Sequence, residues 1–196
     1  HVAGIVGSDQ FGVAKGVTLH PIRVLDCTGS GATSGVILGV NFVVQIVERP
    51  AVINISIGNA PSAALDQAVR NAIAAGIPVV VSAGNDAKDA CLQSPARVGE
   101  AITVASTDPN DVRSSFSNFG NCVDQFAPGR GIRSAGIASN TATAVFNGTS
   151  QAAPHVAGAV ALFLQNVPSA SPSLVQTIVN ASTTPGILGD VRGSPN

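Results

Sequence analysis

Four consecutive apolar residues, Pro78-Val79-Val80-Val81, restrict the fold of this 196-residue chain more than any other segment. Side chains alternate between the two faces of a strand, so a run without polar residues is buried on both faces. Such strands are typical of the centre of a parallel sheet that has helices on both sides. The segment therefore predicts a central strand that ends at Ser82-Ala83-Gly84-Asn85.

Further strands and helices alternate along the chain around this segment. Apolar and β-branched runs predict strands at 16–26, 51–57 and 101–105. Helical spacing of apolar residues predicts helices at 33–48, from Ser62 to Gly76, from Ser150 onward and at 172–180. Residues 114–131 are instead rich in turn residues. This order predicts one α/β domain over residues 1–196, a three-layer fold with a parallel sheet between helices.

Charge and hydropathy exclude two kinds of partner. The net charge of −1 gives the chain no electrostatic attraction for nucleic acid. No apolar run approaches the ~20 residues that span a bilayer. We therefore expect neither a nucleic-acid partner nor a membrane partner.

Short segments of small residues follow the predicted strands, where ligands bind in parallel α/β sheets. They are Gly29-Ser30-Gly31, Ser56-Ile57-Gly58 and Ser82-Ala83-Gly84-Asn85. The first also resembles a dinucleotide-binding loop, but its last glycine arrives one residue late and the next strand ends in Ser56, not in an acidic residue. Asn85 suits a turn, which is the favoured interpretation on local grounds, or it donates a hydrogen bond into the cleft.

Ser150 begins an apolar helix directly after Asn147-Gly148-Thr149. A serine in this position either caps the helix or acts as a nucleophile whose oxyanion meets free backbone N–H groups. His155 is not a suitable base, because five helical residues turn a side chain by about 140° and move it about 7.5 Å. His20 precedes a proline and has no acidic neighbour, so the chain offers no evident general base.

Together these segments resemble the subtilisin-like serine proteases, and most closely their proteinase K and aqualysin branch. The stretch from Asn147 to Gly158 matches the nucleophile motif of the family, with Gln151 where the family usually has methionine. Ser82-Ala83-Gly84-Asn85 matches the motif of the oxyanion asparagine. Residues 114–120 and 126–129 match further motifs in order and spacing.

The resemblance implies a serine endopeptidase of broad specificity in which Ser150 attacks the peptide carbonyl. The oxyanion would be bound by the Ser150 backbone N–H and the Asn85 side-chain amide. The substrate would lie between Gly29-Ser30-Gly31 and Ser56-Ile57-Gly58, as between two edge strands. Ser82-Ala83-Gly84 would form part of the primary specificity pocket.

A calcium site and a disulfide bond are also implied by the family. Asp124 corresponds to a calcium-binding carboxylate of the proteinase K branch, with the carbonyls of Gly99 and Ala101 as the other protein ligands. A solvated loop aspartate is the alternative interpretation of Asp124. Cys91 and Cys122 correspond to a disulfide pair. The family further implies a secreted or vacuolar monomer that binds peptide or protein substrates and an inhibitory propeptide.

The chain departs from the family pattern at its beginning. The family motif His-Gly-Thr-His-Val-Ala-Gly has its catalytic base at the first histidine, and this chain begins at the second, His1. The partner of Cys27 would also lie upstream. We therefore expect a chain truncated at both ends that lacks the catalytic histidine and aspartate and is inactive alone. The alternatives are a peptide-binding relative without the triad and an unrelated cofactor-binding protein.

Overall fold

The computed structural model describes residues 1–195, and a four-stranded parallel sheet lies at its centre. In sheet order the strands are β1 (Ile53–Ile55), β2 (Val79–Ser82), β3 (Ile102–Thr107) and β4 (Gln125–Pro128). Ile53 lies opposite Val79, and Val80 lies opposite Ile102. The spatial order of the strands is thus their order in the chain, and their carboxyl ends share one edge.

In the described part of the chain, five α-helices and one hairpin surround the sheet. The helices are α1 (Val2–Gly7), α2 (Thr33–Ile46), α3 (Ala63–Ala74), α4 (Thr149–Asn166) and α5 (Pro172–Ala181). The antiparallel hairpin consists of β5 (Ile132–Ala135) and β6 (Thr143–Phe146). A short 3₁₀ helix, Ala90–Leu92, follows β2.

Consecutive residues of β2 pack against opposite layers. Val80 belongs to a buried cluster with residues of α1, α4 and α5. Val79 and Val81 belong to a second cluster with residues of α2 and α3. All three valines are buried, because a strand at the centre of the sheet is covered on both faces. The predicted three-layer α/β arrangement is therefore confirmed.

The termini of α3 show how local chemistry sets its boundaries. The Ser62 hydroxyl accepts a hydrogen bond of 3.3 Å from the Leu65 N–H, as an N-cap does. After the helix, Gly76 has φ +86°, a conformation that glycine adopts without a steric penalty. Both predicted signals are confirmed.

The predicted strand at 16–26 is wrong. A strand needs a hydrogen-bonded neighbour, and within residues 1–195 no segment pairs with this one. Its apolar side chains pack instead on α2, where a Cβ on Gly39 would lie 2.7 Å from Val24 Cγ1. Gly29-Ser30-Gly31 consequently follows an irregular segment and not a strand end.

Two further elements were not predicted from the sequence. β4 lies inside the turn-rich segment 114–131, and the hairpin of β5 and β6 follows it. β4 has only four residues and ends in Pro128, so it is too short for an alternating apolar pattern to be recognised in the sequence. Its pairing with β3 comes from tertiary contact.

Cys91 and Cys122 form a disulfide bond, the pairing that the family resemblance implied. The bond joins the 3₁₀ helix after β2 to the loop before β4. Cys27 is exposed, and its sulfur accepts a hydrogen bond of 3.3 Å from the Arg23 guanidinium. Among residues 1–195, no helix combines the length and the apolar character needed to cross a bilayer.

Candidate active site

Ser150 lies in the first turn of α4 and forms a reciprocal pair of hydrogen bonds with Ser56. Its hydroxyl donates to the Ser56 carbonyl at 3.1 Å, and the Ser56 hydroxyl donates to the Ser150 carbonyl at 2.9 Å. Pro154 explains the second bond, because it has no N–H to donate to the carbonyl four residues earlier. Gly148 is the N-cap, so the Ser150 hydroxyl does not cap the helix.

Asn85 follows β2 and is oriented by the start of α4. Its Oδ1 accepts hydrogen bonds from the Thr149 N–H at 2.8 Å and from the Thr149 hydroxyl at 3.0 Å. The Thr149 hydroxyl in turn accepts from the Gly84 N–H at 3.1 Å. With its oxygen fixed in this way, the Asn85 Nδ2 has no protein acceptor within residues 1–195 and is free to donate.

Two N–H donors lie close to Gly148, and the side-chain oxygen of Gln151 lies closer still. A Cβ on Gly148 would lie 2.8 Å from Gln151 Oε1, 3.6 Å from Asn85 Nδ2 and 3.6 Å from the Ser150 backbone nitrogen. The Ser150 N–H belongs to the first turn of α4 and therefore has no acceptor within the helix. Two free donors next to the Ser150 hydroxyl form an arrangement that can bind an oxyanion. Gly148 also has φ +153°, which disfavours a side chain there.

The predicted specificity-pocket segment, Ser82-Ala83-Gly84, lies at the end of β2 beside Gln93. Ser82, Ala83 and Gly84 are all buried, and the side chains of Gln93 and Asn118 pack directly against Gly84. Gln93, which the sequence did not single out, has its Oε1 3.3 Å from a Cβ built on Gly58 and in contact with one built on Gly84. Gln93 therefore lies between the two strand ends, a position that no local sequence signal indicates.

Among residues 1–195, neither Ser56-Ile57-Gly58 nor Gly29-Ser30-Gly31 lies within a strand, and their expected role on either side of a substrate stays a prediction. β1 ends at Ile55, and the first glycine segment is an exposed loop. The two regions are nevertheless linked, since the Asn59 amide donates to the Thr33 hydroxyl at 3.2 Å.

None of the three histidines forms a hydrogen bond with Ser150 within the described residues. His155 Nδ1 donates to the Gln151 carbonyl of its own helix at 2.8 Å, as expected for a structural histidine. His1 Nε2 lies 3.1 Å from the Ile132 carbonyl and 3.2 Å from the Ala144 carbonyl. His20 is exposed. The site thus contains a hydroxyl and two donors but no base in contact.

Burial lowers the pKa of His155, and its hydrogen bond to the Gln151 carbonyl opposes this effect only in part. The unfolded chain then binds protons more readily than the folded protein below the ordinary histidine pKa of about 6.5. We expect the urea midpoint to fall as the pH is lowered through that value, and the fall to be smaller in His155→Gln. Equal slopes for the wild type and the variant would contradict this source of pH dependence, and His20→Gln is the exposed control.

The three predicted calcium ligands lie together, but an amide nitrogen stands at their centre. Gln176 Nε2 of α5 lies 3.1 Å from the Gly99 carbonyl, 3.1 Å from the Ala101 carbonyl and 3.2 Å from Asp124 Oδ1. Calcium requires six to eight oxygen ligands at roughly 2.3–2.6 Å. The residues in this arrangement do not fit a cation, because a hydrogen-bond donor already fills its place.

A serine at a helix start, beside two free N–H donors and at the carboxyl edge of a parallel sheet, is an arrangement that can support nucleophilic catalysis. The chain matches the Subtilase family over residues 1–193 and belongs to it.

Individual relatives agree with this assignment. The chain is 56% identical over 197 residues to an extracellular serine proteinase of Thermus sp. (strain Rt41A), covering 100% of this chain and 48% of the relative. It is 50% identical to the alkaline serine exoprotease A of Vibrio alginolyticus, covering 100% of this chain and 36% of that protein. The chain thus spans about half the length, or less, of these curated relatives.

A solved structure confirms the fold. The crystal structure of a cold adapted subtilisin-like serine proteinase superposes with a TM-score of 0.97 at 47% sequence identity. The match covers 100% of this chain and 71% of that chain. The sheet, the helices and the loops described above therefore have the subtilisin-like arrangement.

Proposed function

We propose that this chain carries the nucleophile, the oxyanion hole and the peptide cleft of a secreted serine endopeptidase of broad specificity. The observation that carries the proposal is that two N–H donors without a protein acceptor among residues 1–195, the Ser150 N–H and Asn85 Nδ2, both lie beside Gly148. Membership of the Subtilase family and a 56% identical relative named an extracellular serine proteinase support the same activity and location. Peptides and proteins are the proposed substrates, and a propeptide is the proposed inhibitor.

In the proposed reaction, the Ser150 hydroxyl attacks the carbonyl carbon of the scissile peptide bond and gives its proton to a general base. The tetrahedral oxyanion accepts hydrogen bonds from the Ser150 N–H and from Asn85 Nδ2. Collapse of the intermediate breaks the C–N bond, and the amine leaves with the proton. Water then hydrolyses the acyl-Ser150 ester by the same steps.

The base and its orienting carboxylate are proposed to come from outside these 196 residues. No histidine of the described chain contacts Ser150, and a serine hydroxyl without a base is a weak nucleophile at neutral pH. The same observation favours a second candidate, a subtilase that binds peptides in the cleft without hydrolysing them.

A fluorophosphonate probe distinguishes the two candidates. We expect the full-length natural protein to be labelled on Ser150, as located by peptide mass spectrometry, and to hydrolyse a casein substrate. The 196-residue chain should show neither labelling nor hydrolysis under the same conditions. Binding of casein peptides by the full-length protein without labelling or hydrolysis would support the second candidate.

A further inference from the structure

The strongest unexplained feature outside the active site is the group of polar atoms around Gln176. Its single amide nitrogen serves three oxygens that come from two segments of the chain: the carbonyls of Gly99 and Ala101, and the carboxylate of Asp124. The distances of 3.1, 3.1 and 3.2 Å are hydrogen-bond lengths. An amide nitrogen has two N–H bonds, so the three acceptors share two hydrogens.

The carboxylate of Asp124 is satisfied by N–H donors throughout. Oδ1 also accepts from the Asn180 amide at 3.2 Å, and Oδ2 accepts from the Thr103 backbone N–H at 2.7 Å. Within residues 1–195, no lysine or arginine forms an ion pair with Asp124. Burial raises the pKa of Asp124, and the hydrogen bonds from Thr103, Asn180 and Gln176 oppose that rise.

The arrangement links α5 to the sheet. Gln176 and Asn180 are one helical turn apart on α5, and both donate to the carboxylate that directly precedes β4. Gly99 and Ala101 directly precede β3. One side-chain amide of α5 therefore joins two segments, before β3 and before β4, that would otherwise present oxygens to one another.

We propose that the Gln176 amide takes the place of a divalent cation in this chain, so that the anchoring of α5 at this site does not require calcium. The carbonyl and carboxylate oxygens are the type of ligand that calcium binds, but the Gln176 amide nitrogen lies between them, where the ion would be. Removal of the amide should open the site to calcium, because the three oxygens could then act as metal ligands and water could fill the remaining positions.

Calcium titration calorimetry and thermal melting of the full-length protein test this proposal without any measurement of peptidase activity. All variants carry Ser150→Ala, which prevents self-digestion. We expect the parent and Asp124→Asn to bind the same number of calcium ions, whereas Gln176→Ala binds one more. That additional ion should disappear in the double variant Gln176→Ala/Asp124→Asn. Gln67→Ala, which removes an exposed glutamine from α3, is the matched control and should behave as the parent.

A second variant keeps the proposal testable if Gln176→Ala does not fold. Gln176→Glu has the same shape but turns a carboxylate toward the three oxygens, and its melting temperature should rise on addition of calcium by several degrees more than that of the parent. A parent that binds one more calcium ion than Asp124→Asn would overturn the proposal. Equal calcium responses of the parent and Gln176→Glu would overturn it as well.

Discussion

Substitution of Ser150 by alanine should abolish peptidase activity of the full-length protein, with a loss in kcat/KM of at least about 10⁴-fold. The hydroxyl is the only group at this position that can form the acyl intermediate, and the remaining N–H donors stabilise an oxyanion without supplying a nucleophile. Hydrolysis of a chromogenic peptide measures the loss, and failure of fluorophosphonate labelling confirms its site.

The control for this variant is Ser139→Ala, which removes an exposed loop hydroxyl and should leave kcat/KM unchanged. The free energy of unfolding is measured in parallel, since Ser150 donates a hydrogen bond to the Ser56 carbonyl at 3.1 Å. We expect its loss to lower stability by only about 1 kcal/mol. A folded Ser150→Ala variant that keeps more than about 1% of the activity would exclude Ser150 as the nucleophile.

Loss of the Asn85 amide donor should lower kcat about 10²–10³-fold while KM changes little, a factor known from subtilisin, another member of this family. The physical reason is that the donor meets an oxygen that becomes charged only in the transition state. Asn85→Ala is the first variant. It also removes the acceptor of the Thr149 hydrogen bonds, which are 2.8 and 3.0 Å long, so it is expected to lose some stability as well.

Asn85→Asp separates these two effects. The aspartate keeps an oxygen that accepts from the Thr149 N–H and hydroxyl, but it replaces the donor by a second oxygen. We expect the same loss in kcat as for Asn85→Ala, or a larger one, together with a smaller loss of stability. A rise in KM at constant kcat would show instead that Asn85 binds the substrate in its ground state.

The sequence predicted most helices and the inner strands because their signals are local. Ser62 and Gly76 limit α3, and the continuous valines of β2 require burial on both faces. The motif around Ser150 indicated the family, which the match over residues 1–193 confirms. The roles of Ser150 and Asn85 themselves remain predictions, which the variants above are designed to test.

The errors lie where the structure depends on distant partners. Residues 16–26 have the apolar pattern of a strand, but a pattern does not provide a hydrogen-bonded neighbour. β4 has a weak pattern but a neighbour in β3, and it is a strand. Pairing, and not propensity, therefore decided which of the two segments joined the sheet.

Arg113 illustrates a contribution that no motif indicated. Its buried guanidinium donates to the carbonyls of Ser114 and Ser117 at 3.1 and 2.7 Å and binds the Asp190 carboxylate at 2.9 Å. It also lies 5.3 Å from the centre of the Phe119 ring. A single charged side chain thus connects the segment after β3 to the carboxyl-terminal region, through its ion pair with Asp190, which is 77 residues away in the chain.

The sequence by itself determined the helices, the central strands and the chemical groups available: a serine at a helix start, an asparagine after a strand, and oxygens near Asp124. Only the tertiary structure decided which of these groups meet. It brings Asn85 and Ser150 to either side of Gly148, and it puts the Gln176 amide among the oxygens predicted to bind calcium. The physical reason is that hydrogen bonds act over about 3 Å, whereas their partners here lie tens of residues apart in the chain.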